Sequence, residues 1–392
     1  MGIIVRHVLR ELGVTFLFGF VALTSLLLII GLVLEALDQH IPLIYVWQLV
    51  PYVFAEMSAI SLPVTLLLAV TIFFSRMSGN NEVIALKALG IPPKAFLMPV
   101  FALAFLVSLI GVGINELSVT KGREGIATVI FGAAEDIIIE QLRRTRRFET
   151  PNQQLTIIVR GVDEQRRLIE PTIMWHRESI TMEARRAQIS IDFNTNMLTL
   201  TLEGVRLAGG GGLTGLLGDR YLPIPLSEFI PDGRSDRPSN MGLQRINEER
   251  RHAAEQIEQQ RRIIAAHRTF GATMGSVDSW TAPPIREAQE RIRSLQSYID
   301  RLSVEPPRRW AAGFCSFFFV LLGAPMAIWM RRSDFFSSFF ACFLPILLLY
   351  YPLLMFGLDQ AKNGTLPPMS VWVANISIGL IGLWFLRQMH RY

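Results

Sequence analysis

The chain has 392 residues, of which 51% are hydrophobic and 18% are charged, and its formal net charge is +5. Apolar runs of about 20 residues at both ends exclude a wholly soluble protein, because such runs span the roughly 30 Å hydrocarbon core of a bilayer. The positive charge does not indicate a nucleic-acid partner, since membrane proteins gain basic residues in their inner loops. We therefore expect an integral membrane protein with a polar, charge-rich middle domain.

Six segments are predicted to cross the membrane, three on each side of the polar middle. Pro51, Glu56 and Pro63 interrupt the second apolar stretch, so we expect a short interfacial helix before the true span. Glu56 is then placed near the outer interface, although a functional carboxylate buried in the membrane gives the same pattern. The predicted spans are residues 12–34, 57–75, 95–114, 310–330, 335–357 and 369–386.

Basic residues in the short loops predict the orientation of the chain. If the N-terminus is cytoplasmic, nine basic residues lie on the cytoplasmic side and five lie near the membrane on the opposite side. This excess favours cytoplasmic N- and C-termini and an external middle domain. The nine are Arg6, Arg10, Arg76, Lys87, Lys94, Arg331, Arg332, Arg387 and Arg391, and the five are Lys121, Arg123, Arg308, Arg309 and Lys362.

The first part of the middle, between about residues 150 and 230, alternates apolar and polar residues. The run MLTLTLEGVRL at 197–207 is one example, and such alternation is typical of strands with one buried face. Asn194-Thr195-Asn196 is a candidate hairpin turn. No helix there is long enough for the crossovers of a parallel sheet, so the pattern predicts an antiparallel β domain, either a sandwich or an open roll.

The second part, about residues 241–303, has the spacing of helices. A heptad pattern precedes the fourth span, a weaker one lies upstream, and FGATMGSVDSWTAPP at 270–284 has the Gly and Pro content of a connection. We expect an antiparallel helical hairpin, although two helices packing on the β domain or on another chain give the same pattern. The heptad positions are Ile285, Ala288, Ile292, Leu295, Ile299 and Leu302.

Residues 78–94 read SGNNEVIALKALGIPPK and predict a short amphipathic helix between the second and third spans. Asn80 or Asn81 caps its start, and Glu82 lies in the first turn, where negative charge suits the helix dipole. Gly90 is placed to end it. The predicted apolar stripe, either a docking face or a merely interfacial surface, is Val83, Leu86 and Leu89.

No constellation for catalysis or metal binding is present in the sequence. The run GGGGLTG at 209–215 lacks the lysine of a phosphate loop, and the six histidines are scattered. Cys315 and Cys342 lie in apolar segments and are read as buried hydrophobes rather than a disulfide. The basic run QLRRTRRF at 141–148 is either a solvated helix face or a contact for anionic lipid. Any work on a substrate must therefore be driven by another chain.

Several blocks of sequence, in their order and spacing, resemble one known family. They are PVTLLLAVTIFFSRMSGNNEVIALKALGI at 63–91, LLGAPMAIWMRRSDF at 321–335, LLLYYPLLMFG at 347–357 and NGTLPPMSVWVANI at 363–376. Together they resemble the lipopolysaccharide-export permeases of the LptF/LptG (YjgP/YjgQ) type. The resemblance implies a membrane α-helical fold of 3+3 helices with an inserted periplasmic β-jellyroll. The expected division is 1–117 for spans one to three, 118–240 for the β domain, 241–305 for the hairpin and 306–392 for spans four to six.

The resemblance also implies partners and a function. Such permeases lie in the bacterial inner membrane, pair with a paralogue or a second copy, and bind a cytoplasmic ABC ATPase dimer. The complex extracts lipopolysaccharide, or a similar glycolipid, from the outer leaflet and passes it to a periplasmic jellyroll bridge protein. No cofactor is expected in this chain, because ATP and Mg are used by the partner ATPase.

In this family the helix near 80–90 is a coupling helix that docks on the ATPase. Glu82 matches its acidic residue, and Ala85, Leu86, Ala88 and Gly90 match its small and apolar positions. The resulting candidate docking residues are Glu82, Val83, Ala85, Leu86, Lys87, Ala88, Leu89 and Gly90.

Candidate lipid contacts follow from position. Basic residues just outside the third and fourth spans suit head-group phosphates, although interfacial snorkelling explains them equally. Apolar residues of the fifth span and of the β strands suit acyl chains, although ordinary packing gives the same pattern. The head-group candidates are Lys121, Arg123, Arg308 and Arg309, and the acyl candidates are Phe336, Phe340, Ile189, Ile191 and Phe193.

Two features of the sequence depart from the family. The hairpin is an addition to the usual β domain. Glu35 and Asp38 stand where one subunit type carries basic residues for lipid phosphates, which argues against that subunit type and against phosphate contact by the first helix. One alternative is a permease of the lipoprotein-release or mechanotransmission type, whose external domain normally follows the first helix. Another is an envelope scaffold without transport, which has no need for a shaped cytoplasmic docking helix.

Overall fold

The computed structural model describes residues 2–38, 43–150, 155–176, 180–192, 197–209, 214–216, 218–225, 238–273, 283–330 and 335–391. Over these residues the chain is mostly helical and carries two antiparallel sheets. The helices are α1 (Gly2–Asp38), α2 (Leu43–Gly79), α3 (Glu82–Ala88), α4 (Lys94–Leu117), α5 (Arg123–Thr145), α6 (Leu243–Thr273), α7 (Pro283–Trp329), α8 (Phe335–Pro345), α9 (Tyr351–Lys362) and α10 (Trp372–Arg391). Two π-helical segments, Ser118–Gly122 and Ile346–Tyr350, join α4 to α5 and α8 to α9.

Six helical segments in the described part of the chain are long and apolar enough to cross a membrane. Each contains most or all of one predicted span, so the expected membrane fold with an inserted β domain is confirmed. The six segments are Gly2–Leu37, Tyr45–Gly79, Lys94–Gly122, Pro283–Trp329, Ser337–Lys362 and Pro368–Gln388.

The second span differs from its prediction. The separate interfacial helix is wrong, because α2 is one helix of 37 residues that continues through Pro51, Glu56 and Pro63. Each proline removes only one backbone hydrogen bond, whereas breaking the helix in an apolar environment leaves several polar groups without partners. A helix of this length extends over about 55 Å.

The fourth span is also longer than predicted. α7 has 47 residues and contains Pro306 and Pro307, so the expected boundary between residues 305 and 306 falls inside a continuous helix. The second helix of the hairpin and the fourth span are therefore one element. The first helix of the hairpin, α6, packs on α7, and Ile246 and Leu302 are fully buried where they meet.

α7 lies at the centre of the helix bundle. Of its most apolar stretch 72% is buried, the largest share of any of the six segments. Glycines allow other helices to approach it closely: Gly313 lies directly against Val112 of α4, and Gly323 lies against Leu67 of α2. Small residues at such contacts let helix backbones pack without an intervening side chain, as is common between membrane helices.

Buried polar contacts fix neighbouring helices of the bundle. The hydroxyl groups of Thr24 on α1 and Ser61 on α2 are 2.6 Å apart, and both residues are buried. The Asn375 side-chain amide on α10 donates to the backbone carbonyl of Ala311 on α7 at 2.8 Å. Interhelical hydrogen bonds of this kind specify which faces pack together in an apolar medium.

The β domain consists of two antiparallel sheets. One has the strand order β1-β2-β5-β6-β9-β10, and the other has the order β11-β8-β7-β4-β3. The strands are β1 (Arg147–Glu149), β2 (Leu155–Ile158), β3 (Gly161–Val162), β4 (Arg167–Ile169), β5 (Thr172–Trp175), β6 (Ile180–Glu183), β7 (Arg186–Asp192), β8 (Met197–Glu203), β9 (Arg206–Gly209), β10 (Thr214–Leu216) and β11 (Arg220–Pro225).

The register of these strands follows the period-two pattern. Leu198, Leu200 and Leu202 of β8 are fully buried, whereas the residues between them are partly exposed. β7 and β8 are antiparallel, and Asp192 pairs with Met197 at the end where a hairpin turn would join the two strands. The predicted turn at 194–196 lies outside the described residues. The antiparallel β domain predicted from alternation is thus present.

The chain divides into two compact units. One comprises Met1–Leu27, Ala55–Thr120 and Asp236–Tyr392, and the other comprises Leu28–Phe54 and Lys121–Ser235. The second unit therefore contains the last residues of α1, the first residues of α2, α5 and the β domain. In that unit α5 contacts β1, β3 and β7.

An ion pair lies where the hairpin joins the bundle, within the first unit. Arg309 of α7 is 3% exposed, and its Nη1 donates to the Glu116 carboxylate on α4 at 2.6 Å. Its Nη2 donates to the Met241 carbonyl, and the other oxygen of Glu116 accepts the Leu243 amide at the start of α6 at 3.0 Å. One arginine and one glutamate thus connect α4, α6 and α7.

Replacing Glu116 by Gln removes the charge that faces the buried Arg309 guanidinium. We expect a loss of about 3 kcal/mol of stability, because breaking a buried ion pair leaves the remaining charge uncompensated. The matched control is Arg261→Gln, which breaks the exposed Arg261–Glu258 pair on α6 and is expected to cost less than about 1 kcal/mol. Thermal unfolding in detergent measures both. Equal shifts for the two variants would show that the buried pair contributes no more than a surface pair.

Candidate functional site

The short helix α3 ends as its sequence predicts, but the predicted asparagine side-chain cap at its start is not formed. Asn81 occupies the N-cap position without a side-chain capping bond, and the Asn80 side chain instead donates to the Glu82 carboxylate at 3.2 Å. At the other end Gly90 has φ +77°. Its N–H donates to Lys87 O, and the next N–H donates to Leu86 O, which is the Schellman motif that favours glycine.

The predicted apolar stripe of α3 is divided between the bundle and the surface. Val83 is 5% exposed and belongs to the core of the bundle, and Leu86 packs partly against the same core. Leu89 is 76% exposed, and Ile84, which the stripe did not include, is 44% exposed. Val83 therefore anchors α3 and is not part of a surface that a partner could contact.

A groove lies beside α3, which we call the α3 groove. Its volume is about 340 Å³, and its walls come from the first turns of α1, the end of α2 and one face of α3. The walls are mainly apolar, and His7 and Glu82 are its two titratable groups. The lining residues are Ile3, Ile4, His7, Val8, Phe73, Met77, Glu82, Ala85, Leu86 and Leu89.

Polar contacts hold the walls of the α3 groove in place. Arg76 near the end of α2 forms an ion pair with Glu11 of α1, and His7 lies 3.4 Å from the same carboxylate. The Ser78 hydroxyl donates to the carbonyl of Ile328 on α7 at 3.1 Å. The ends of α1, α2 and α7 are thus tied together where α3 begins.

The predicted docking residues lie close together but differ in their exposure. Ala85 and Ala88 are exposed, Lys87 is half-buried, and Glu82 is exposed at the edge of the groove. Sequence reasoning missed the contribution of α1, in particular Ile3. The Ile3–Ile4 pair is visible in the sequence, but no spacing indicates that it lies beside a helix some 80 residues away.

The head-group candidates differ in accessibility. Lys121 is exposed, and the side chain of Arg123 lies outside the described residues. Arg308 is 32% exposed and pairs with the buried Glu305 at 2.8 Å. Arg309 is buried and bonded to Glu116, so its guanidinium has a partner within the protein rather than a free position for a phosphate.

The acyl candidates are placed only in part. Ile189 is buried in β7, and Phe340 of α8 is 62% exposed. The side chains of Ile191, Phe193 and Phe336 lie outside the described residues. Of the most apolar stretch of α1 only 11% is buried, and of the segment that contains α9 only 17%, so both present long apolar surfaces.

The described residues contain no group of three or more His, Cys, Asp or Glu side chains able to hold a metal ion. Cys315 and Cys342 are free and buried, as their apolar surroundings predicted. The described features of the site are an apolar groove with the Glu82 carboxylate at its edge and apolar helix surfaces.

A comparison with curated proteins found no match. The family model described as lipopolysaccharide export system permease LptF/LptG matches residues 6–388, which is nearly the whole chain and includes both groups of helices and the β domain. The chain therefore belongs to the LptF/LptG family of lipopolysaccharide export permeases.

Proposed function

We propose that this protein is the transmembrane permease subunit of an ABC transporter. It extracts lipopolysaccharide, or a similar glycolipid, from the outer leaflet of the bacterial inner membrane and passes it to a periplasmic jellyroll bridge protein. The observation that carries the proposal is the family match over residues 6–388, which joins all six spans and the β domain in one architecture. The N- and C-termini are then cytoplasmic, and the β domain is periplasmic.

The α3 groove is the proposed docking site for the ATPase. Its apolar walls suit an inserted apolar side chain, and Glu82 at the edge suits a cation of the partner. The contacts of Arg76 and Ser78 hold the groove to α1 and α7, so a displacement of α3 moves the ends of these helices. The partner ATPase, which uses ATP and Mg, supplies the energy at this point.

The proposed lipid path uses the apolar surfaces of α1 and of α8 and α9. Exposing acyl chains to water costs about 0.8 kcal/mol per CH₂, so the chains must pass from one apolar surface to another. The small buried fractions of α1 and of the segment containing α9 leave such surfaces available, and Phe340 lies on one of them. A second permease subunit, either a paralogue or a second copy, closes the path from the other side.

The proposal also assigns contacts to the lipid head group and a role to the β domain. Lys121 and Arg308 are the proposed phosphate contacts, since both are at least partly accessible whereas Arg309 is buried. The β domain receives the acyl chains between its sheets. Ile189 is buried there, so the sheets must separate to admit a chain.

A non-transporting scaffold is the second candidate function. The α3 groove argues against it, because a scaffold needs no apolar groove supported by a buried anchor such as Val83. The proposed transporter requires such a groove, because the ATPase lies outside the membrane and its movement must be transmitted to the spans.

Purification in a gentle detergent tests the proposed function directly. We expect two copies of an ABC ATPase to copurify with each pair of permease subunits, of which this chain supplies one or both. Mass spectrometry identifies the chains, and vanadate-sensitive ATP hydrolysis confirms activity. A chain that purifies folded without any ATPase would favour the scaffold.

Substitutions at Glu82 separate a docking role from a helix-stabilising role. Glu82→Gln is expected to change stability by no more than about 1 kcal/mol, because a first-turn carboxylate contributes about that much through the helix dipole. Glu82→Arg is expected to abolish ATPase binding through repulsion from the partner's cation. Pull-down of the ATPase and thermal unfolding measure the two effects. If binding and lipid release survive the reversal, Glu82 serves only its own helix.

A substitution at Leu89 tests whether the apolar part of the groove binds the ATPase. We expect Leu89→Asp to weaken ATPase binding by about tenfold or more, because docking would then bury an unpaired carboxylate. Leu366→Asp, in the loop between α9 and α10, is the control: this leucine is also exposed but lies far from α3 in the chain. Binding of the purified ATPase to nanodisc-embedded permease measures both. Equal losses would place the docking surface elsewhere.

A further inference from the structure

A network of three side chains joins the first turn of α2 to the β domain. The Tyr45 hydroxyl donates to Asp136 Oδ2 on α5 at 2.6 Å. Arg166, in the turn between β3 and β4, contacts the other oxygen of the same carboxylate at 2.8 Å. The two oxygens of Asp136 thus hold one partner from a membrane-spanning helix and one from a sheet. All three residues belong to the second unit.

A second contact fixes α5 along the same part of α2. Tyr52 lies about two turns beyond Tyr45, on the same face, and its ring occupies the space where Gly125 would carry a side chain. Gly125 and Asp136 lie about three turns apart on α5, so they too share a face. α5 therefore packs antiparallel to the start of α2 through a ring–glycine contact and a hydrogen bond.

The turn that presents Arg166 depends on its contacts. Arg166 has φ +60°, a left-handed conformation that residues other than glycine adopt mainly when surrounding contacts favour it. Its N–H donates to Asp163 O at 3.0 Å, and its guanidinium also lies 3.6 Å from Glu135. The ion pair to α5 and the local turn thus support one another.

The ion pair of this network is exposed enough to break and reform. The two ion pairs differ in the exposure of their cations: Arg166 is 56% exposed, whereas Arg309 is 3% exposed. Their carboxylates are alike, with Asp136 28% and Glu116 30% exposed. Exposed ion pairs are weak and are exchanged readily with water. A contact of this kind can open and reform during a transport cycle, which a buried ion pair cannot do without a large penalty.

α2 connects this network to the α3 groove. It is continuous from Leu43 to Gly79, and α3 begins three residues later at Glu82. The first turn of α2 carries Tyr45 of the network, and its last turns carry Phe73 and Met77 of the groove. We propose that Tyr45, Asp136 and Arg166 form a joint through which displacement of α2 by the ATPase moves the β domain during lipid hand-off. This inference rests on the proposed function, and the three are positioning residues.

The test uses the full-length permease with its ATPase in proteoliposomes that contain lipopolysaccharide. Two rates are measured: ATP hydrolysis and ATP-dependent release of lipopolysaccharide to the bridge protein. We expect Asp136→Ala to lower release about tenfold, the equivalent of one hydrogen bond to a charged group, while hydrolysis stays near the wild-type rate. Asp136→Glu, which keeps a carboxylate, is expected to restore most of the release.

The control is Arg160→Gln, which breaks the exposed Arg160–Glu170 pair within the β domain and should leave both rates unchanged. Unchanged release in Asp136→Ala would overturn the joint. A parallel fall of release, hydrolysis and unfolding temperature would also overturn it, because the residue would then serve folding alone. A wild-type chain that binds no ATPase would overturn the proposed function, and the joint with it.

Discussion

The buried ion pair between Arg309 and Glu116 is the constraint on which the arrangement of the first unit depends. A cation that is 3% exposed must keep its counter-charge, so α4 and α7 cannot slide past one another without breaking the pair. One turn away on each helix, Gly313 packs against Val112, which brings the two backbones close enough for the pair to form. Because α7 also forms the second helix of the hairpin, the same contact fixes the base of that hairpin.

The Thr24–Ser61 and Arg309–Glu116 contacts of the first unit are more buried than the Asp136 network of the second unit. The Thr24–Ser61 contact and the Arg309 pair are buried, and contacts of this kind keep the helices of the bundle in register. The Asp136 network is partly exposed and can exchange its partners at modest cost. A transporter needs both buried and partly exposed contacts. The buried contacts keep helices rigid enough to transmit a displacement, and the partly exposed contacts can break and reform when that displacement arrives.

The sequence predicted the helices and strands well but predicted the burial of individual side chains less well. Apolar run length and period two identified the spans and the strands, and the Gly90 signal identified the end of α3, because these depend on local chemistry. The burial of Val83 and of Arg309 depended on elements distant in the chain. Periodicity reports which residues share a face, not which neighbour that face meets. The continuity of α2 through its prolines was missed because their local penalty is smaller than that of unpaired backbone in an apolar medium.

Burial also differs among the helices of the bundle. The central α7 has 72% of its most apolar stretch buried, whereas α1 has 11% and the segment containing α9 has 17%. A helix at the centre cannot admit an acyl chain without losing its packing, but a helix with a free apolar surface exchanges one lipid contact for another at little cost. The helices whose apolar surface is least buried within the single chain are therefore the ones that we propose line the lipid path.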